Sequence, residues 1–160
     1  MNESQHMVRD FHIATNNPTP NYPTLKFYRP ELRVKLLREE TQEFADAVQN
    51  HYDFMKKQLP VDGTGAERLE LLSEMADALC DILYVAYGAA VELGLDLEPL
   101  FDEVHKTNMR KAGAPEDASG KQMKPTGWRP PALKSLIQMQ LQAYNNRPEW
   151  LDCGGAKAKD

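Results

Sequence analysis

Between residues 67 and 93 one helical pattern sets an acidic line between two apolar lines, and this limits the fold more than any other stretch. Read at alternating three- and four-residue steps, Glu70, Glu74, Asp77, Asp81, Tyr84 and Gly88 fall along one face. On one side run Leu72, Ala76, Leu79, Leu83, Ala86 and Ala90, and on the other Leu71, Met75, Ala78, Ile82, Val85 and Ala89. Apolar flanks on both sides put the carboxylates in the middle of a face expected to be buried. Burying a lone carboxylate costs several kcal/mol unless it is paired or ligates a metal. Carboxylates one turn apart also repel by about 0.2–0.5 kcal/mol per pair, even on an exposed helix. A hard divalent cation held by oxygens relieves both penalties.

A second stretch repeats the device. Leu36, Glu40, Glu43 and Ala47 form one line beside Leu37, Thr41, Phe44 and Val48, with Glu39 at the edge of the patch. Glu39, Glu40 and Glu43 thus lie within about 6 Å of helix rise. If the two helices pack side by side, their carboxylates converge, which suits Mg²⁺, with Mn²⁺ as a substitute. A third stretch has the opposite sign: Leu97, Phe101, Val104, Asn108 and Lys111 start apolar and end in an amide and an ammonium. Beside a carboxylate cluster, Asn108 and Lys111 read as donors to phosphate oxygens. Lys106 and Arg110 are less well placed.

The rest of the chain sets the frame. Residues 1–14 read as a short helix with Val8, Phe11 and His12 on one side, and the proline-rich residues 16–30 as an extended arm. Helices are expected from Glu31 to about Tyr52, Glu67 to Leu93 with Gly94 as the stop, Leu97 to about Lys111, and 132–145. Residues 60–65 read as a loop, 112–131 as irregular, and the last dozen residues as frayed. No segment alternates with period two, so the expected fold class is all-α, a helical bundle with proline-rich N- and C-terminal arms. The expected division is 1–131 for the main domain and 132–160 for a C-terminal helix and tail.

Composition excludes several classes. The 160 residues carry a net charge of −5 with no basic cluster, which disfavours nucleic-acid binding. No apolar run reaches the ~20 residues that span a bilayer, and the polar start lacks a signal core, so a cytoplasmic location is expected. Cys80 and Cys153 match no metal or redox spacing and read as reduced thiols. A di-iron bundle needs Glu-x-x-His on two helices, and the nearest match here is one Asp102-x-x-His105.

Glu39-Glu40-x-x-Glu43 followed by Glu74-x-x-Asp77 resembles the EExxE…ExxD signature of the all-α nucleoside triphosphate pyrophosphohydrolases. The stretches LLREETQEFADAV, EMADALCDILYVAYGAAVELGLDLEPLFDEVHKTNMRK and GKQMKPTGWRPP are similar to the MazG-like, phosphoribosyl-ATP pyrophosphohydrolase-like group, over roughly residues 5–132. The resemblance implies cleavage between the α and β phosphates of a (d)NTP, giving a nucleoside monophosphate and pyrophosphate. It implies Glu40, Glu43, Glu74 and Asp77 as Mg²⁺ ligands, with Glu39 a further ligand or the activator of the attacking water. Asp81, one turn beyond Asp77, is a possible additional ligand. Asn108 and Lys111 match the downstream polar pair that contacts the nucleotide, and Arg110 is kept in the substrate-binding set.

Base recognition is expected from residues 8–30, where Phe11, His12, Asn16, Asn17 and Tyr22 are able to stack or hydrogen-bond. The GKQMKPTGWRPP segment is either a lid, in which Lys121, Lys124, Trp128 and Arg129 meet the substrate, or a packed arm at a subunit interface. Helices apolar on nearly all sides, such as 78–90, need more neighbours than one chain supplies, and a homodimer or homotetramer is expected. Two other readings stay open: a dUTPase-like or phosphoribosyl-ATP pyrophosphohydrolase activity, and a non-enzymatic helical interaction protein whose acidic line sets helix register.

Overall fold

The computed structural model describes residues 1–56 and 65–147. Its helices are α1 (Glu3–Ala14), α2 (Pro30–Lys56), α3 (Gly65–Glu92), α4 (Leu97–Met109) and α5 (Leu133–Asn145). Among the described residues there is no strand, only an isolated antiparallel bridge between Glu116 and Gln122. The all-α expectation and the order of elements therefore hold. The 60–65 loop up to residue 64, the frayed tail and Cys153 lie outside the described residues. Among the described residues no single helix is long and apolar enough to cross a membrane.

α2 and α3 form an antiparallel pair. Arg33, near the start of α2, meets Glu92 at the end of α3, while Glu43 and Asp46 share a groove with Glu74 and Asp77. Buried alanines, Ala47 and Ala78, let the two backbones approach. α1 packs on α3, and α5 on α4.

The junctions follow from local chemistry. Asn2 caps α1 by accepting from the Gln5 amide. α3 stops where expected: Gly94 takes φ +64°, Leu95 N–H donates to the Ala90 carbonyl and Gly94 N–H to that of Val91. That is the paired-bond C-cap which favours glycine. The position is also closed by packing, because a Cβ at Gly94 would stand 1.9 Å from the Tyr22 carbonyl oxygen. Asp96 then caps α4, and Gln140 of α5 exchanges two hydrogen bonds with the Asp96 backbone.

A buried ionic network joins the N-terminal arm to the helix pair. Glu92 is fully buried and accepts from Arg29 and from Arg33 Nη2, the latter at 2.7 Å. Arg33 Nη2 also donates to His12 Nε2 at 3.1 Å, and His12 Nδ1 faces the Pro18 carbonyl at 3.3 Å. A guanidinium cannot accept and a carbonyl cannot donate, so His12 is neutral with its proton on Nδ1. Burial, and then the nearby Arg33 charge, hold His12 below its usual pKa despite the Pro18 contact. Burial pushes Glu92 upward, but hydrogen bonds from Arg33 and Arg29 outweigh it and keep the carboxylate ionised below its usual range.

Candidate functional site

Two sets of expected site residues come together, each with its own surroundings. The first is the carboxylate groove between α2 and α3. Glu43, Glu74 and Asp77 line an open cleft of about 270 Å³ with Asp46, Asn50 and the floor residues Ala47 and Ala78. Glu40 and Asp81 lie one turn further along the same groove. Partial burial, then repulsion from Glu43, Asp81, Glu39 and Asp77 in that order, raise the Glu40 carboxyl above its usual value. Glu39 sits at the rim, its carboxylate 3.4 Å from the Lys35 ammonium one turn earlier.

The expected burial of this line is corrected. Glu43, Glu74, Asp77 and Asp81 are exposed in the single chain, and only Glu40 is half-buried. α2 covers one apolar flank of α3, where Ala78 is buried and Leu71, Met75, Ile82 and Val85 are half-buried. The other flank is only partly covered among the described residues: Leu72, Leu79 and Leu83 are 53%, 47% and 58% exposed, while Ala90 at its end is buried. The acidic line therefore forms the edge of a groove, not the centre of a buried face. Among the described residues no three acidic, histidine or cysteine side chains stand close enough to share one metal ion. The donor set is nevertheless all hard oxygen, and the repulsion felt by Glu40 is what a divalent cation relieves. The residues fit such an ion by chemistry, with side-chain rotation needed to close on it.

The second set lies at the end of α4. Here the inward line is also corrected. Leu100 and Thr107 are buried, while Phe101 is 71% exposed and Asn108 exposed. The observed inward line is shifted by one residue from the expected one, toward the side on which the proline-rich arm lies. Trp128 Nε1 donates to the Thr107 carbonyl, and the Ala132 amide donates to Glu103, so residues 128–132 run back along α4. Lys111 Nζ donates to Asn108 Oδ1 at 2.7 Å. The Lys111 and Lys124 ammoniums stand 5.4 and 4.5 Å from the centre of the Trp128 ring, within cation–π range. Arg110 is the exposed C-cap of α4. Among the described residues no ion pair or hydrogen bond connects this cationic cluster to the carboxylate groove.

Sequence reasoning missed Asp46 and Asn50 at the groove. Their signal was present, since Glu43, Asp46/Ala47 and Asn50 continue the α2 line by the same three- and four-residue steps. It also missed the Arg29–Glu92–Arg33–His12 network, because ion pairs between residues about 60 positions apart leave no local pattern.

The comparison with known families agrees with this geometry. No curated protein matches the chain. A family profile described as phosphoribosyl-ATP pyrophosphohydrolase matches residues 8–108, a span that contains the second half of α1, all of α2 and α3 and most of α4, and with them every carboxylate of the groove. The chain belongs to the phosphoribosyl-ATP pyrophosphohydrolase family, and through it to the MazG-like all-α pyrophosphohydrolases, which act on nucleotide-like substrates.

Proposed function

We propose that the chain is a Mg²⁺-dependent nucleoside triphosphate pyrophosphohydrolase that splits a (d)NTP between its α and β phosphates. The observation that carries this reading is the convergence of carboxylates from two antiparallel helices on one open groove. A stable interaction surface gains nothing from that repulsion, whereas a site for a polyanion bridged by a cation requires it. Glu40, Glu43, Glu74, Asp77 and Asp81 would hold the ion, which would neutralise phosphate charge and acidify a bound water. Mn²⁺ substitutes for Mg²⁺.

The protein's own groups do the remainder. Glu39, at the rim of the groove, takes a proton from the attacking water. The water oxygen forms a new bond to phosphorus as the bridging P–O bond breaks. Pyrophosphate leaves with the bridging oxygen or without it, according to which phosphorus is attacked, and a nucleoside monophosphate remains. Little covalent chemistry is needed, so positioning and charge stabilisation dominate. Asn108, Arg110, Lys111 and Lys124 supply donors to phosphate oxygens, and Trp128 holds the two lysines in place. The exposed leucine line of α3 is covered by a second copy, giving a homodimer or a homotetramer.

The decisive experiment is a panel of canonical and modified (d)NTPs, including dUTP and phosphoribosyl-ATP, with Mg²⁺ or Mn²⁺, scored for pyrophosphate. Phosphoribosyl-ATP belongs in the panel because the family profile carries its name. At least one nucleotide should release pyrophosphate, with Glu40→Ala at background. If no nucleotide exceeds the Glu40→Ala control, the enzymatic reading fails.

A further inference from the structure

At one end the carboxylate groove reaches Asn50 and Glu74. Along α3 the acidic line passes Asp77 and Asp81, reaches Tyr84 one turn later, and ends at Gly88. The space over Gly88 is filled by the Arg33 guanidinium, so close that a Cβ there would stand 2.6 Å from Nη1 and 3.3 Å from His12 Nε2. The last unfilled position of the line is therefore Tyr84. Phe11 of α1 meets it edge-to-face, with ring centres 5.8 Å apart and planes inclined at 72°. Both rings stay accessible, Phe11 at 49% and Tyr84 at 40%.

The other groups of the N-terminal stretch able to read a base are already engaged. His12 is held between Arg33 and Pro18. Asn16 takes φ 55° to turn the chain out of α1, and Asn17 bonds to Thr15 and to the His12 carbonyl. The Tyr22 ring stacks on Tyr144 of α5 at 4.4 Å. That leaves Phe11 and its partner Tyr84.

We propose that Phe11 and Tyr84 form the wall on which the nucleotide's base stacks, with its phosphates directed toward Asp81 and Asp77. The inference rests on the nucleotide-hydrolase reading and names the surface, one turn beyond Asp81 on the same helix line, that distinguishes a nucleotide from a bare phosphate ester. Asp81 and Tyr84 are separated by about 4.5 Å of helix rise, an offset that a sugar bridges. An aromatic wall reads the face of a base and not its edge, so it favours nucleotides over base-free phosphates while tolerating several bases.

The test uses equilibrium binding of thymidine monophosphate, adenosine monophosphate and ribose 5-phosphate in Mg²⁺ buffer, beside pyrophosphate release by the same preparations. The wild type should bind at least one of the two nucleotides about tenfold or more tighter than ribose 5-phosphate. Phe11→Ala should reduce that preference to about twofold or less, and Phe11→Trp should keep it. Phe11→Leu retains apolar packing on Tyr84 and should also lose the preference, which separates stacking from support of the fold. A wild type without base preference, or a Phe11→Leu variant that keeps it, overturns the wall. Pyrophosphate release with the preference intact in Phe11→Leu leaves the hydrolase reading standing without the wall. A preference lost in Phe11→Leu, with no pyrophosphate from any nucleotide, leaves the wall standing without the hydrolase.

Discussion

The Arg33 guanidinium rests on Gly88, where a single added Cβ would come within 2.6 Å of Nη1. Arg33 is 5% exposed and tied to Glu92 and His12, so it has little freedom to withdraw. Gly88→Ala should therefore destabilise the protein by about 1–3 kcal/mol, as overpacking of a filled interior does. Calorimetry should show a melting temperature lower by several degrees. An unchanged melting temperature would mean that Arg33 moves aside freely.

Glu92 is the only acid in the buried network and serves two arginines. Glu92→Ala should cost about 3–5 kcal/mol, because it strands buried positive charge. Adding Arg33→Met should recover part of the loss, since an apolar side chain needs no counter-charge. Denaturant melts of the single and double variants measure both effects. Losses that simply add would show that the two residues are not coupled.

The same network sets an acid limit. The His12 pKa is depressed from its ordinary 6.5, so its contribution is complete above pH 6.5 and is lost as pH falls through the lower folded value. Glu92 is also depressed, from 4.5, and its contribution is lost further down as pH falls through its folded value. Glu40 has the opposite sign: its raised pKa means that protonation relieves repulsion. Melting temperature should fall in two stages on acidification. His12→Gln should flatten the first stage without moving the second.

Charge relief at the groove gives a separable prediction. In metal-free buffer Glu40→Gln removes one member of a repelling set, so its melting temperature should equal or exceed that of the wild type while pyrophosphate release falls to background. Mg²⁺ should raise the wild-type melting temperature, and the rise should shrink in Asp77→Asn. A Glu40→Gln variant that loses stability without Mg²⁺ would point to a structural role for the carboxylate.

Much of this arrangement was legible in the sequence, for a physical reason. Helical period is local, so Glu40, Glu43, Glu74 and Asp77 could be put on facing lines from spacing alone, and Gly94 marked as a stop. Depth is not local. The acidic line was expected to be buried because both flanks were apolar, yet α2 covers only one of them. On α4 the line through Phe101 was expected to face inward, yet Leu100 does, because the arm carrying Trp128 lies along that side, information that the α4 sequence lacks. The Glu92 network was invisible for the same reason.

Self-association can be tested on the uncovered flank. Leu83→Asp places a charge on a residue that is 58% exposed in the single chain, so it should barely affect folding of one subunit. It should shift sedimentation toward smaller species. A wild type that sediments as a monomer would count against a second copy covering α3.

The leucines of that flank stand one helical line away from Asp77 and Asp81. A second copy docking on Leu79 and Leu83 would bring its own acidic line toward the first, inside the ~10 Å over which charges interact in 0.1 M salt. Attraction between the leucines and repulsion between the grooves thus act on the same approach. Added electrolyte weakens only the repulsion, so pairing should tighten as ionic strength rises, opposite to an interface held by salt bridges. Divalent cations in the two grooves would do the same at far lower concentration, tying the number of copies in the assembly to the state of the groove.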